Sequence, residues 1–365
     1  MSLKQTLDCF ATFEKFLKNQ LTGKTGMRVE RNNSLDTLKA LSIAFVFIWH
    51  LRPFQFIIDD STQISVLMIA KIIKDLEVQL FLTAVPIFYI VSLYLFFQKS
   101  SDIKYFRKRL TKLIKIYLFW MIVQNIFFVI STREFPNFSW QMIIGLEPIL
   151  PFVGDSVFYF LFNLICLITF AFLYQFIKSD YLRKILSFTI VIFCLFYFET
   201  CYLLNITIPY HWLINFVIYV PIAFYLANFP NKILSFKFYY LIAYILFSFH
   251  DIYLRNYGYH PNIYGRVAII CGAVTIFCYV RDRKNIKENL IIQQLSKYSL
   301  GLFSLHKYWQ YLFFLLINHY KIDINPGLFG TSLSTIFIIE GFFVVFFTFV
   351  SVYLLKLTWF KEFVS

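Results

Sequence analysis

Lys39 and His50 are the first residues in the chain whose types and spacing could do chemistry. Eleven steps of about 100° come close to three whole helical turns, so on a helix the two share one face, roughly 16 Å apart. An ionisable group inside an apolar run is costly in a membrane, so a histidine there either takes part in function or bonds a neighbouring helix. The same argument selects His306, which sits beside Lys307, and Glu340, both inside late apolar runs. A carboxylate in such a place must be neutral, hydrated or paired, and Lys307 is one partner for it. Glu340 could instead orient His50, hold a substrate or share in proton transfer. A basic run holds Arg107, Arg109 and Lys112, of which Arg109 and Lys112 are three apart and share a helix face. On composition alone that run could do no more than set topology.

The elements that must position these residues are helices in a bilayer. Of the 365 residues, 59% are hydrophobic and only 15% are charged, against about 25% charged in a soluble domain. The apolar residues fall into runs near the length a helix needs to cross about 30 Å of hydrocarbon. A backbone in lipid must satisfy its own hydrogen bonds, which leaves helices or closed barrels. The runs lack a barrel strand's alternation, so the predicted class is an all-α, polytopic integral membrane protein with about ten transmembrane helices. The expected spans are 41–58, 76–97, 113–130, 156–177, 185–198, 212–229, 236–249, 263–280, 298–317 and 332–355. A stretch over 64–73 is expected to add an interfacial helix before the second span.

Orientation follows from the basic residues. With the N-terminus inside, the segments 1–39, 99–115, 177–185, 230–238, 281–297 and the C-terminal end are cytoplasmic, and they hold 26 of the 34 lysines and arginines. Both termini are therefore expected in the cytoplasm. The net charge of +14 then reflects topology and attraction to anionic lipid, with no need of nucleic acid. Residues 1–30 place Leu3, Leu7, Phe10, Phe13, Leu17 and Leu21 at helical spacing among lysines, a pattern for a helix on the membrane surface or, alternatively, docked to a partner. Residues 31–365 read as one transmembrane domain. The six cysteines lack paired spacing and read as small apolar residues. His211, His250, His260 and His319 fall in or beside expected outer loops without a metal-ligand spacing.

Four blocks in order carry a resemblance to a known family. Arg31, Leu35, Asp36, Leu38 and His50 match the signature Arg-x-x-x-Leu-Asp-x-Leu-Arg, then His after ten residues, of the membrane-bound acyltransferase 3 family, with Lys39 in place of the last arginine. Val85, Pro86, Phe88 and Ser92 resemble its second-helix block, with Leu93 where glycine is usual. The segment 105–112 resembles its Arg-x-x-Arg motif, with Lys112 at the second position, and 295–306 resembles its late Tyr-x-x-His block, with Phe303 for the tyrosine. At a phosphate site, exchanging arginine for lysine keeps the charge and loses the bidentate fork.

The resemblance implies an acyltransferase that moves an acyl group, usually acetyl from cytoplasmic acetyl-CoA, to a hydroxyl of a cell-surface or lipid-linked glycan. No metal is expected. Lys39, Arg107, Arg109 and Lys112 would attract the phosphates of CoA. His50 would be the base that takes the acceptor's proton, with His306 and Glu340 as further candidates. Asp36 could cap the first helix or pair with Arg31. The expected location is the cytoplasmic (inner) membrane. A glycan transporter could also show many spans and buried charges, but it gives no reason for the Lys39/His50 spacing. A membrane scaffold would make those charges dispensable.

Overall fold

A computed structural model of the chain describes residues 32–54, 64–99, 102–135, 158–260, 262–283, 286–287, 289–320 and 335–365. The expected surface helix over 1–30 and Arg31 lie outside the described residues. The described residues are 84% helical and contain no strand. The helices are α1 (Asn33–Leu51), α2 (Ile64–Leu80), α3 (Ala84–Gln98), α4 (Ile103–Thr132), α5 (Tyr159–Gln175), α6 (Asp180–Leu203) and α7 (Ile214–Val217). There follow α8 (Tyr219–Asn228), α9 (Pro230–Ser235), α10 (Lys237–Asn256), α11 (Val267–Asp282), α12 (Leu290–Lys297), α13 (Ser299–Tyr320) and α14 (Thr335–Lys356).

Each expected span overlaps at least one helix, and the differences are instructive. The first helix starts at Asn33 and stops at Leu51, earlier at both ends than 41–58. Its polar first turns are not facing lipid: Ser34 and Asp36 are buried, so hydropathy undercounts them. The stretch over 64–73 belongs to α2, which continues through a 3-10 turn at Phe81–Thr83 into α3. Ile64–Gln98 is thus continuous helix over 35 residues, and part of it is apolar enough to cross a membrane. Among the described residues, 5 helices are long and apolar enough to cross a membrane by length and composition, and Tyr159–Gln175 and Ile214–Asn228 are shorter apolar helices.

The helix α3 occupies the centre. Val85, Ile87, Tyr89, Ile90, Val91, Leu93 and Tyr94 are all buried, so it is apolar all round, as a core helix in a large bundle must be. It packs against α5, α8 and α11. On the outside, Ile114, Leu118, Ile122, Ile126 and Ile130 of α4 are exposed and recur every fourth residue. Such a stripe would be an aggregation site in water, and in a bilayer it faces lipid. The protein is thus an all-α, polytopic membrane protein.

One end of the bundle gathers polar and basic groups. There Arg281 Nη1 donates to Ser34 Oγ at 3.2 Å and its Nε to Tyr94 OH at 3.4 Å. The 3-10 turn Trp359–Phe363 docks beside α4, with Trp120 Nε1 donating to the Phe363 carbonyl at 3.0 Å and Phe119 stacked on Phe363 at 4.1 Å. Val364 then seats against Gly301, where a Cβ would meet the Val364 Cβ at 2.7 Å. Only glycine leaves room for that contact.

Candidate active site

Two stretches of chain run side by side in the same direction. At the polar end, Ser296 Oγ, in α12, donates to the Asp36 carboxylate of α1. Farther along, Gln310 Nε2 of α13 donates to the His50 carbonyl at 3.0 Å. Both pairs are 260 residues apart in sequence, so α1 and the α12–α13 segment keep a common register over about 21 Å of helix. This alignment sets His50 opposite Gln310 and places His306, about one turn earlier on α13, within ring contact of it.

Their ring centroids lie 5.1 Å apart with the planes tilted by 42°. His306 is fully buried, with Phe47 at 5.5 Å and Phe303 at 6.0 Å between centroids. Its Nδ1 is 2.7 Å from the Phe303 carbonyl. A carbonyl can only accept, so in the neutral ring Nδ1 carries the proton and Nε2 the lone pair. That Nε2 is buried and has no hydrogen-bond partner. Leaving a buried acceptor unsatisfied costs about 1–3 kcal/mol, and an exception of this kind calls for an explanation such as a catalytic role.

Glu340, which is 1% exposed, enters from α14. Its Oε1 accepts from Gln310 Nε2 at 2.7 Å, so one amide nitrogen joins the His50 backbone to this carboxylate and ties α1, α13 and α14 together. The charges of Lys307 and Arg52 act on both Glu340 and His50. Arg52 ends α1 in a left-handed conformation at φ 44, its N–H donating to the Ile48 carbonyl at 3.0 Å. For a residue with a Cβ that conformation costs roughly 1–2 kcal/mol, and such strain concentrates at functional sites.

His50 also lines a cavity of about 50 Å³. Trp49 and Val46 of α1, Phe81 and Leu82 of the 3-10 turn, Ala84 and Val85 of α3, and Phe303 of α13 form its apolar walls with Ile263. Tyr159, Tyr210 and Tyr264 complete it, and the Tyr159 and Tyr264 hydroxyls are 2.9 Å apart. The loop bearing Tyr264 is clamped: Asn262 Oδ1 accepts from Ile208 N at 2.6 Å. At Gly265 a Cβ would meet Asn215 Oδ1 at 2.9 Å. These tyrosines come from three separate segments, and sequence spacing does not point to them. The only sequence signal is that each is a polar-tipped side chain in or beside an apolar run.

The basic residues divide. Arg107 and Lys112 line an open cleft of about 540 Å³ together with Lys104, Lys108 and Lys115 along the start of α4, with Glu362 and Phe363 on the far wall. Arg109 instead lies in helical register with Leu113, Ile116 and Trp120, which are buried, and its Nε is buried without a hydrogen-bond partner. Lys39 is half-buried on α1 and does not line the cleft. The four cations grouped by sequence thus occupy at least two settings.

The remaining histidines do not join the site. His250 lies within α10, with Nδ1 4.0 Å from Glu199, His319 is near the end of α13 and His260 is in a loop. His211 offers its carbonyl to Asn163 Nδ2 at 2.8 Å. Among the described residues no group of three or more His, Cys, Asp or Glu could hold a metal ion.

The family model described as an acyltransferase domain, acyltransferase 3, matches residues 32–357. No curated protein and no solved structure matches the chain. The family match spans α1 to α14, and the chain belongs to the acyltransferase 3 family.

Proposed function

We propose that this member of the acyltransferase 3 family takes an acyl group, most simply acetyl from cytoplasmic acetyl-CoA, and transfers it to a hydroxyl of a cell-surface or lipid-linked glycan. The observation that carries the proposal is the pair of imidazoles, His50 and His306, with ring centroids 5.1 Å apart and planes tilted by 42°, one lone pair fixed and unspent. A sugar hydroxyl is a poor nucleophile until a base takes its proton, and imidazole is suited to that near neutral pH.

In the proposed reaction, His50 accepts the hydroxyl proton as the oxygen attacks the thioester carbonyl carbon. The carbon–sulfur bond then breaks, the acyl group leaves as an ester on the sugar, and the CoA thiolate takes up a proton. His306 Nε2 is a second acceptor next to His50 and can hold that proton in transit. Gln310 and Glu340 keep His50 in place. At the polar end, the cleft along α4 offers cations to the phosphates of CoA, and the pantetheine arm would have to cover the distance along α1 to His50.

The topology proposed with this places the polar end and both termini in the cytoplasm, in the inner membrane, so that the donor enters from the basic side. The test is mass spectrometry of surface glycan from cells with the gene, without it, and with His50→Ala. The expected result is a mass increment of one acyl group per modified unit only with the unaltered gene. Glycan movement across the membrane with no consumption of acyl-CoA would replace the proposal with a transporter.

A further inference from the structure

The cavity beside His50 has a size that discriminates between the groups a transferase must hold. An apolar cavity of about 150 Å³ admits benzene, with six heavy atoms. By that scale the 50 Å³ beside His50 takes about two heavy atoms. A sugar ring is several times too large. Its hydroxyls would also face Val46, Leu82, Val85 and Ile263, which offer no partners for buried polar groups. An acetyl group, two carbons and an oxygen, is close to that volume and suits the lining, whereas each further methylene of a longer acyl chain exceeds it. Its methyl suits the apolar wall, and its carbonyl oxygen suits the polar side that Tyr159 and Tyr264 bring to the cavity, where the Tyr159 hydroxyl donates to that of Tyr264 at 2.9 Å.

We propose that this cavity is an acyl pocket that limits the donor to two-carbon groups, with Phe81 and Val85 as the residues that set its depth. The inference rests on the acyl-CoA donor proposed above and adds the residues that select chain length. Phe81 is well placed for this role, because its ring packs on Phe45 of α1 at 5.3 Å and so closes the cavity between the 3-10 turn and the helix that carries His50. The hydroxyl acceptor then approaches from outside the pocket and does not enter it.

The experiment uses the full chain in lipid nanodiscs, with acetyl-CoA and hexanoyl-CoA as donors, glycan extracted from cells lacking the gene as the acceptor, and thiol release as the readout. Wild type is expected to prefer acetyl-CoA by about 100-fold or more in kcat/KM. Phe81→Ala and Val85→Ala remove wall atoms without touching the histidines, and at least one is expected to reduce that preference about tenfold or more. A preference within about twofold of wild type in both variants, each eluting as folded protein, overturns the pocket while leaving the transferase intact. Release of thiol from neither donor by wild type overturns the donor proposal, and the pocket with it. Ala84→Leu supplies the converse check: filling the cavity is expected to slow acetyl transfer at least tenfold, and an unchanged rate in folded protein also counts against the pocket.

Discussion

Arg266 and Asp251 are buried as deeply as His306 and Glu340, each of the four no more than 1% exposed, yet the two places treat their polar groups differently. Arg266 Nη1 donates to Asp251 Oδ2 at 3.0 Å and Nη2 to the Val78 carbonyl at 3.0 Å. Gln79 Nε2 adds a bond to the same carboxylate oxygen at 3.3 Å, and Tyr202 OH donates to the Asp251 carbonyl at 3.1 Å. Opposite charges there meet each other, and the node joins α2, α6 and α10 to the loop before α11. At the other place two imidazoles meet, and Glu340 takes its hydrogen bond from the Gln310 amide. A lone pair on His306 is left unspent. Arg266 Nε and Gln79 Oε1 also lack partners at the first place, so the two places differ in what is left over. At the first it is a guanidinium N–H and an amide oxygen, neither of which takes up a proton near neutral pH, and at the second an imidazole lone pair, which does.

The contrast is broken most sharply at His306. His306→Gln, close in volume but lacking the imidazole, is expected to lower acyl transfer by about 10²–10⁴-fold while the folded yield stays near wild type. A loss of folded protein in step with activity would make His306 structural. Asp251→Asn is expected to do the reverse. It strands a buried guanidinium, a change that costs about 3–5 kcal/mol, so thermal unfolding in detergent should fall steeply while activity per folded molecule holds. A variant as stable as wild type would remove the node's anchoring role.

Gln310→Leu lies between the two. It takes the donor from Glu340 and from the His50 carbonyl at once, which should cost about 1–3 kcal/mol of stability, and it should also lower kcat with little change in the donor KM. The smallest effect is expected at the cleft. Lys112→Ala should raise the KM for acyl-CoA roughly tenfold at low salt, and less as salt screens the remaining cations. Lys112→Arg, which restores a bidentate fork, should lower KM. No change on replacing Lys112 with alanine would separate that cleft from donor binding.

The helical class and the position of His50 were legible in the sequence because both depend on local periodicity. The Lys39/His50 spacing is a property of a single helix. The start of α1 was not legible, because Ser34 and Asp36 are satisfied by Arg281 and Ser296 from distant parts of the chain, and hydropathy cannot distinguish a polar residue in water from one bonded inside a bundle. The Arg266–Asp251 pair was hidden for the same reason, since its partners belong to a helix and a loop. Type and spacing group Arg109 with Arg107 and Lys112, but which way it faces depends on the packing of Leu113, Ile116 and Trp120. The tyrosines around the cavity needed three segments to converge, and no spacing rule connects Tyr159, Tyr210 and Tyr264.

Acyl transfer by purified protein in nanodiscs, compared among wild type, His50→Ala, His306→Ala and the double variant at equal folded concentration, bears most directly on the histidine pair. If the two act as one unit, each single change should cost about 100-fold or more and the double little beyond the larger single, because residues of one catalytic unit are not additive. Near-normal transfer by folded His50→Ala would contradict the assignment.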